Sequence, residues 1–331
     1  MTLARAVAVA ALLVVTVTAC GPSTKDTGGA PVAGVFPVSV AHKYGTTEIR
    51  TAPSRVVTLG LSDQDAALAL GVKPVGVVDW FNERPYGKWP WVKDKWAGFQ
   101  PEIVGERDDF NLEKIAALRP DLIIAQYSGM TKEQYGKLSQ LAPVVAQPAG
   151  FKDYGAPWQD MARAIGKSLG QEPKMAELIA TMDRRYAEVR AAHPEFATQT
   201  VAIADTFKPG SYAVFAPDDP KSLFLTGMGF KLPEKITSLA GDKNVIEFGA
   251  ERTDLLDVDR LIWLASDEGA EPRIRADPLY QRLGVVKAKR DLFLSYEDPP
   301  VGAAISFNTV LSIPYALDQA LPPIAAIGKY E

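Results

Sequence analysis

VGERDDFNLEKIAALRPDLIIAQYSG, running from Val104 to Gly129, holds one complete helix-to-strand unit. Asn111 is a helix N-cap by residue type, and the apolar residues of Leu112 to Leu118 recur at helical spacing. Pro120 excludes the α conformation from Arg119, so the helix stops there. Leu122-Ile123-Ile124-Ala125 is then a short apolar run, the pattern of a strand buried on both faces of a parallel sheet. Gln126, Tyr127, Ser128 and Gly129 follow at once. Ligands of open α/β sheets bind beyond the carboxyl ends of the strands, which is where Tyr127 falls. Arg107 lies in the loop that enters the helix, so this unit presents a permanent cation and a phenol near one sheet edge. A surface pairing of Arg107 with Asp108 or Asp109 is the alternative.

The same rhythm extends outward in both directions. Phe36 to His42 alternates like an edge strand, with Tyr44 to Ile49 as its hairpin partner. Val56 to Gly60 and Val75 to Val78 read as strands around a short helix, Ala66 to Leu70, that Ser62-Asp63-Gln64-Asp65 can cap and Gly71 ends. Pro143-Val144-Val145 continues the alternation, so this half is an α/β domain with a largely parallel sheet. An insertion, Asp79 to Trp91, carries three of the chain's six tryptophans. It is too proline-rich for a core helix. Trp80 and Phe81, at a strand's carboxyl end, are ligand-contact candidates, whereas Trp89 and Trp91 read as a local aromatic staple. Lys174 to His193 contains no Gly or Pro, and Met175, Leu178, Ile179, Met182, Tyr186 and Val189 mark one helical stripe. Such a helix reaches roughly 30 Å, enough to bridge two domains. Beyond Pro194 the pattern restarts with a strand at Val201 to Ala204 and a loop at Asp205 to Tyr212. A short helix follows around Phe224, then a helix at Leu255-Leu256, strands at Leu261 to Leu264 and Leu292 to Leu294, and a closing helix from Ala316 to Leu321 before Pro322. Lys208, Tyr212 and Tyr296 fall near strand ends in this half. The fold class is therefore α/β: two Rossmann-like lobes with mainly parallel sheets, joined by one long rigid helix.

Composition narrows the function. The 331 residues and 47% hydrophobic content support two cores, and a net charge of −4 leaves no footprint for nucleic acid. The single cysteine, Cys20, excludes a disulfide framework. It follows Arg5, an apolar stretch from Ala6 to Val17, and the small residues before Gly21. This resembles a bacterial lipoprotein signal cleaved before Cys20, whose thiol then carries lipid; an ordinary secretory signal is the alternative. Residues 1–19 are thus the leader and 20–36 a Gly- and Pro-containing tether. Residues 37–173 form the first lobe, 174–194 the connecting helix and 195–331 the second lobe. The globule is extracytoplasmic, anchored to the cell membrane.

Pro53-Ser54-Arg55-Val56-Val57, Leu70-Gly71-Val72-Lys73-Pro74-Val75-Gly76-Val77 and Asn111 to Ile123 resemble the iron–siderophore substrate-binding proteins of ABC importers, a class III periplasmic-binding-protein family. The match runs from about Val38 to Ile324. Asp79-Trp80-Phe81 with Trp89-Pro90-Trp91 further resembles actinobacterial members, some of which take ferric siderophores and some haem. The resemblance implies two α/β lobes on a rigid helix, with a shallow cleft between them and no catalysis. It gives Arg107 the role of contacting a hydroxamate ligand's oxygens, and Tyr127 that of a nearby aromatic. It gives Glu113 and Glu251 the role of docking, one per lobe, on arginines of a permease that works with its ATPase. The ligand would be a ferric siderophore, hydroxamate in type, bound by a monomer with no cofactor or metal ligand of its own.

The residues agree that no enzyme is present: there is no Gly-x-Ser-x-Gly, no phosphate loop and no His-Glu-x-x-His. His42 and His193 lie too far apart in the pattern for a histidine metal site. Asp108-Asp109 and Asp218-Asp219 read as solvated loop carboxylates. Haem is the rival ligand, with Tyr127, Tyr212 or Tyr296 as axial candidates. A surface lipoprotein with no role in transport is the reading from another class.

Overall fold

The computed structural model describes residues 35–80, 87–208, 210–266 and 269–327. The leader, Cys20 and nearly all of the tether lie outside these residues, and so does Phe81. The chain opens with the expected antiparallel hairpin, β1 (Val38–His42) and β2 (Gly45–Ile49). Then come β3 (Val56–Thr58), α1 (Asp63–Ala69), β4 (Gly76–Asp79), α2 (Pro90–Trp96), β5 (Glu102–Glu106) and β6 (Asp109–Phe110). The half closes with α3 (Leu112–Ala117), β7 (Leu122–Ala125), α4 (Lys132–Leu138), β8 (Val144–Ala146) and α5 (Trp158–Ser168). Strands β3 to β8 form one sheet in the order β6-β5-β4-β3-β7-β8, with β3, β4, β5, β7 and β8 all parallel and β6 antiparallel.

The opening stretch folds as its residues dictate. The Asn111 side chain accepts the Lys114 N–H at 3.0 Å and caps α3, and Arg119 ends the helix at φ +46° before Pro120. β7 is wholly buried between β3 and β8. The Asp121 carboxylate accepts the backbone N–H groups of Ser54 and Arg55, each at 2.8 Å, and so ties the starts of β3 and β7 together.

α6 (Glu172–Ala192) leads to the second half. Its buried side chains are Met175, Ile179, Met182, Tyr186 and Val189, the predicted stripe with Leu178 at its margin. Its proline, Pro173, sits in the first turn, where a missing N–H costs nothing.

The second half contains β9 (Val201–Lys208), β10 (Ser211–Phe215), α7 (Pro220–Gly227), α8 (Glu234–Ala240), β11 (Val245–Gly249) and β12 (Arg260–Ala265). It ends with α9 (Ala270–Ala276), α10 (Gly284–Lys287), β13 (Asp291–Ser295), α11 (Val301–Phe307) and α12 (Ser312–Ala326). Its sheet runs β11-β10-β9-β12-β13; β9, β12 and β13 are parallel, and β10 and β11 are antiparallel.

Three expectations change here. Asp205 to Tyr212 is not a loop: β9 continues to Lys208, turns at Gly210 (φ +75°) and returns as β10. A Pro-Gly pair between two strand-forming runs is a hairpin signal, and reading the first run as ended at Ala204 obscured it. Ala250–Leu256 is a 3₁₀ helix kinked at Arg252 rather than an α-helix. α12 runs through Pro322 and Pro323, because its stripe of Ile313, Ala316, Leu317, Ala320 and Ile324 is buried in the core and tertiary packing outweighs the lost backbone bonds.

One apolar core runs from the first sheet through α5 and α6 to the inner face of the second sheet, where Val201, Ile203, Phe215 and Ile262 join it. The outer face of that sheet has its own core around Ala202, Val214 and Trp263. A third cluster joins the halves directly: Leu68, Val77, Trp89, Val92 and Trp96 against Tyr296, Ala303 and Phe307.

Candidate functional site

Residues beyond strand ends of the two halves are neighbours: Trp80 meets Phe307, Trp89 meets Tyr296, and the Asp219 charge acts on Tyr127. β4 and β7 lead to Trp80 and Tyr127, while β9, β12 and β13 lead to Phe207, Ser266 and Tyr296. Contacts between the halves flank this zone on two sides. On one side the Lys152 ammonium lies 2.9 Å from the Asp218 carboxylate and donates to the Lys243 carbonyl at 2.7 Å. On the other, Lys88 pairs with Glu297 at 3.0 Å, and Thr309 donates to Asp65 at 2.6 Å.

Arg107 stands in the turn between β5 and β6 at φ +49°, with its backbone N–H donated to the Asp79 carbonyl at 2.9 Å. Its side chain is exposed. Asp108 is engaged elsewhere: its carboxylate accepts the Gly129 N–H at 2.8 Å and the Tyr154 hydroxyl, and its carbonyl accepts the Gln134 side chain at 2.6 Å. The nearby Arg107 charge acts on the Tyr154 phenol in the opposite sense to Asp108. The Tyr154 ring meets Tyr127 edge-on, with centroids 5.3 Å apart. Burial, and then Asp108, push the Tyr154 phenol up to about 12. Burial pushes Tyr127 well above the ordinary tyrosine value; Asp219 and Tyr154 add to this and Arg107 opposes it. Both phenols are therefore hydroxyl donors at any physiological pH. Arg107 and Tyr127 share one neighbourhood, with Tyr154, which belongs to no sequence motif, beside them.

The opposite wall belongs to the second half. Asp219 caps α7 by accepting the Lys221 N–H at 2.9 Å, and its carboxylate lies 3.0 Å from the Lys221 ammonium. Both side chains are less than a tenth exposed, so Asp219 is no solvated loop acid. The ammonium sits 4.1 Å from the Phe215 ring centroid, a cation–π contact in a desolvated setting. Asp205 is buried on the same face; burial pushes it up to about 6, while Ser266, Thr206 and the Lys221 charge hold it down. Asp219-Pro220, an N-cap followed by proline at the first helical position, is the signal that could have placed this wall.

The aromatic insertion is partly helical. Pro90 starts α2, the position where proline is tolerated, so proline content did not exclude a helix. Trp89 and Trp91 stack at 5.6 Å with an 8° interplanar angle. They are not a local staple. Trp89 is 1% exposed and meets Tyr296 edge-on at 6.2 Å, and Trp91 packs on Tyr315 at 5.5 Å. Trp80 is half-buried and edge-on to Phe307 at 5.5 Å.

A family model described as "Periplasmic binding protein" matches residues 56–293. The chain belongs to that family. This binding protein is 29% identical over 229 residues to the probable siderophore-binding lipoprotein YfiY of Bacillus subtilis, covering 69% of this chain and 67% of that one. It superposes on the periplasmic solute binding protein of Mycobacterium smegmatis with a TM-score of 0.77 and 34% identity, covering 88% and 98% of the two chains. PiaA of Streptococcus pneumoniae in complex with ferrichrome gives 0.73 and 27%, covering 88% and 99%.

The remaining sequence candidates of this binding protein separate. Tyr212 is buried in the outer core: the register of β10 turns it, with Val214, away from the first sheet, its ring meets Trp263, and its hydroxyl donates to Asp277. Tyr296 is buried between the halves against Trp89, and Lys208 ends β9. Tyr127, Tyr212 and Tyr296 lie in three different apolar clusters. Glu113 is exposed in the first turn of α3, beside a surface groove of about 580 Å³ that Glu106, Asp109 and Phe110 also line. Glu251 is exposed in the 3₁₀ segment of the other half. Among the described residues no three His, Cys, Asp or Glu side chains gather as a metal site, and no helix is long and apolar enough to cross a membrane.

Proposed function

We propose that this protein captures a ferric siderophore of the hydroxamate class between its lobes and delivers it to an ABC importer. In this reading residues 37–173 and 195–331 are the lobes and 174–194 the connector. Cys20 carries the lipid, and residues 20–36 tether a monomer outside the cell membrane. Arg107 is the observation that carries it: an exposed guanidinium, projected from a left-handed turn, beside two tyrosine hydroxyls and facing the Asp219 wall. A guanidinium stays charged and donates in a fixed fork, which suits the oxygens around a chelated ferric ion. The ligand class follows from the balance of charge. Asp108, Asp205 and Asp219 offset Arg107 and Lys221, so a complex with several negative charges meets carboxylates, and a neutral or cationic hydroxamate complex does not. Ferrichrome in the pneumococcal relative supports the same class. Trp80 offers an aromatic surface at the rim, with Phe81 and Lys208 as further candidates, and Glu113 and Glu251 are the exposed acids for docking on permease arginines.

The test is a tryptophan-fluorescence titration of lipid-free protein against ferrichrome, ferrioxamine, a ferric catecholate and haemin. Saturable binding of a hydroxamate complex is expected, and Arg107→Ala should weaken it by about 1.5–3 kcal/mol, the scale of a charge-assisted hydrogen bond. Binding of haemin or the catecholate alone, or unchanged affinity in the variant, would overturn the reading.

A further inference from the structure

Asp63 reads in the sequence as part of a helix cap, yet its carboxylate bonds to the chain beyond the ends of β3 and β7. We infer that Asp63 is a positioning residue of the ligand site: it holds the turn beyond β7 that presents Tyr127 to the ligand. This rests on the reading that Tyr127 lines the ligand site.

The order β6-β5-β4-β3-β7-β8 sets successive strands first on one side of β3 and then on the other. The adjacent carboxyl ends of β3 and β7 are therefore the switch point of this sheet, the place where open α/β sheets hold their ligands. β3 stops at Thr58 and β7 at Ala125, so the N–H groups of Gln126 and Tyr127 lie beyond the strand ladder. Buried backbone donors need acceptors, and the Asp63 carboxylate supplies them. Its Oδ2 accepts the N–H of Gln126 at 2.7 Å and that of Gly60 at 3.1 Å, and its Oδ1 accepts that of Tyr127 at 3.1 Å. The Tyr127 carbonyl in turn accepts the Leu61 N–H at 3.0 Å. The segment between β3 and α1 thus grips the Tyr127 backbone through both of its polar groups. A ring whose backbone is fixed beforehand loses less freedom when ligand arrives.

Two further observations point the same way. Gly60 leaves the room: a Cβ there would lie 2.3 Å from the Asp63 carboxylate. Asp63 is also buried, and a carboxylate stays charged out of water only where donors compensate it. Burial pushes it up to about 6 while its three N–H partners hold it down, so it is ionised at pH 7.5; its charged neighbour is Asp65 on the same helix. An asparagine at this position has one oxygen. Placed to keep Gly60 and Gln126, that oxygen leaves the NH₂ group facing the Tyr127 N–H, donor against donor.

Asp63→Asn therefore releases Tyr127 first. At pH 7.5 it should weaken ferrichrome binding roughly 3- to 10-fold. In the Tyr127→Ala background the same change should have less than about a 2-fold effect, since the carboxylate acts through the tyrosine. Gly60→Ala should reproduce the loss. The pH profile separates positioning from general damage: at pH 5 wild type has protonated the same carboxyl, so the affinity gap between it and Asp63→Asn should close. A further readout needs neither variant nor ligand. The backbone ¹⁵N–¹H signals of Gly60, Gln126 and Tyr127 in wild type should titrate together, with one midpoint at about pH 6. Separate midpoints, or no titration between pH 4.5 and 8, overturn the inference even if Asp63→Asn does not fold. So do unchanged ferrichrome affinity in Asp63→Asn, a gap as wide at pH 5 as at pH 7.5, and an equal loss with and without the Tyr127 side chain. If Tyr127→Ala binds ferrichrome as wild type does, the site reading of Tyr127 fails first, and the Asp63 inference falls with it.

Discussion

Asp65 offers a quantitative test of how the halves are joined. It is 2% exposed on α1, and its carboxylate accepts the Thr309 hydroxyl at 2.6 Å and the Trp91 indole N–H at 3.2 Å, from two separate parts of the chain. Burial pushes it from 3.8 up to about 7, with Thr309 and Trp91 holding it down and nearby Asp63 adding repulsion. The folded protein therefore retains a proton that the unfolded chain releases near pH 4. Stability from this group is greatest below pH 4, declines as pH rises to about 7, and is level above that. At 1.36 kcal/mol per pH unit the full decline is on the order of 4 kcal/mol. Asp65→Asn keeps an oxygen for Thr309 and Trp91 and removes the charge. Its NH₂ group lacks a provided acceptor, which costs about 1 kcal/mol or more. Relative to wild type, the variant should thus be equal or slightly weaker at pH 5 and about 1–3 kcal/mol more stable at pH 8.5. Urea unfolding of the lipid-free proteins at pH 5, 7 and 8.5 measures this. His42, which burial keeps neutral and which works in the opposite sense, is common to both proteins and cancels in the comparison. A variant-minus-wild-type difference that is flat or falls with pH would refute the argument.

Other outcomes follow from the same structure. Trp89→Ala should destabilise by about 3–5 kcal/mol, the range for a large buried aromatic; a loss below about 1 kcal/mol in urea unfolding would remove it from the core between the halves. α6 has no Gly or Pro past its first turn, so solution-scattering curves of apo and ferrichrome-loaded protein should superimpose, and marked compaction would contradict a rigid connector. Glu113→Arg with Glu251→Arg should leave ligand titration unchanged and abolish siderophore uptake in cells, since charges at an interface act mainly on encounter and orientation. Normal uptake would remove both residues from docking.

Local chemistry carried much of the architecture. Asn111 and Pro120 bound α3, the uninterrupted apolar run from Leu122 made β7 a central strand, and the Met175-to-Val189 stripe marked α6, because each signal lies within a few residues of chain. What failed was decided at longer range. Tyr212 faces the outer core because hairpin register sets the side of the sheet, and a strand read as ending early carries no register. Trp89 and Trp91 pack on Tyr296 and Tyr315 because the lobes meet there, which no local window contains. Arg107 could be proposed as a cation at a strand end, but its neighbour Tyr154 could not, because the hydroxyl of Tyr154 reaches Asp108 across 46 residues of sequence. Asp219 read as a solvated loop acid but is buried as the partner of Lys221, because burial depends on contacts distant in sequence. The sequence by itself determined the elements and their order, through periodicity and helix-end chemistry. Only the tertiary structure decided which polar groups lose water, because desolvation depends on chain segments that are neighbours in space alone.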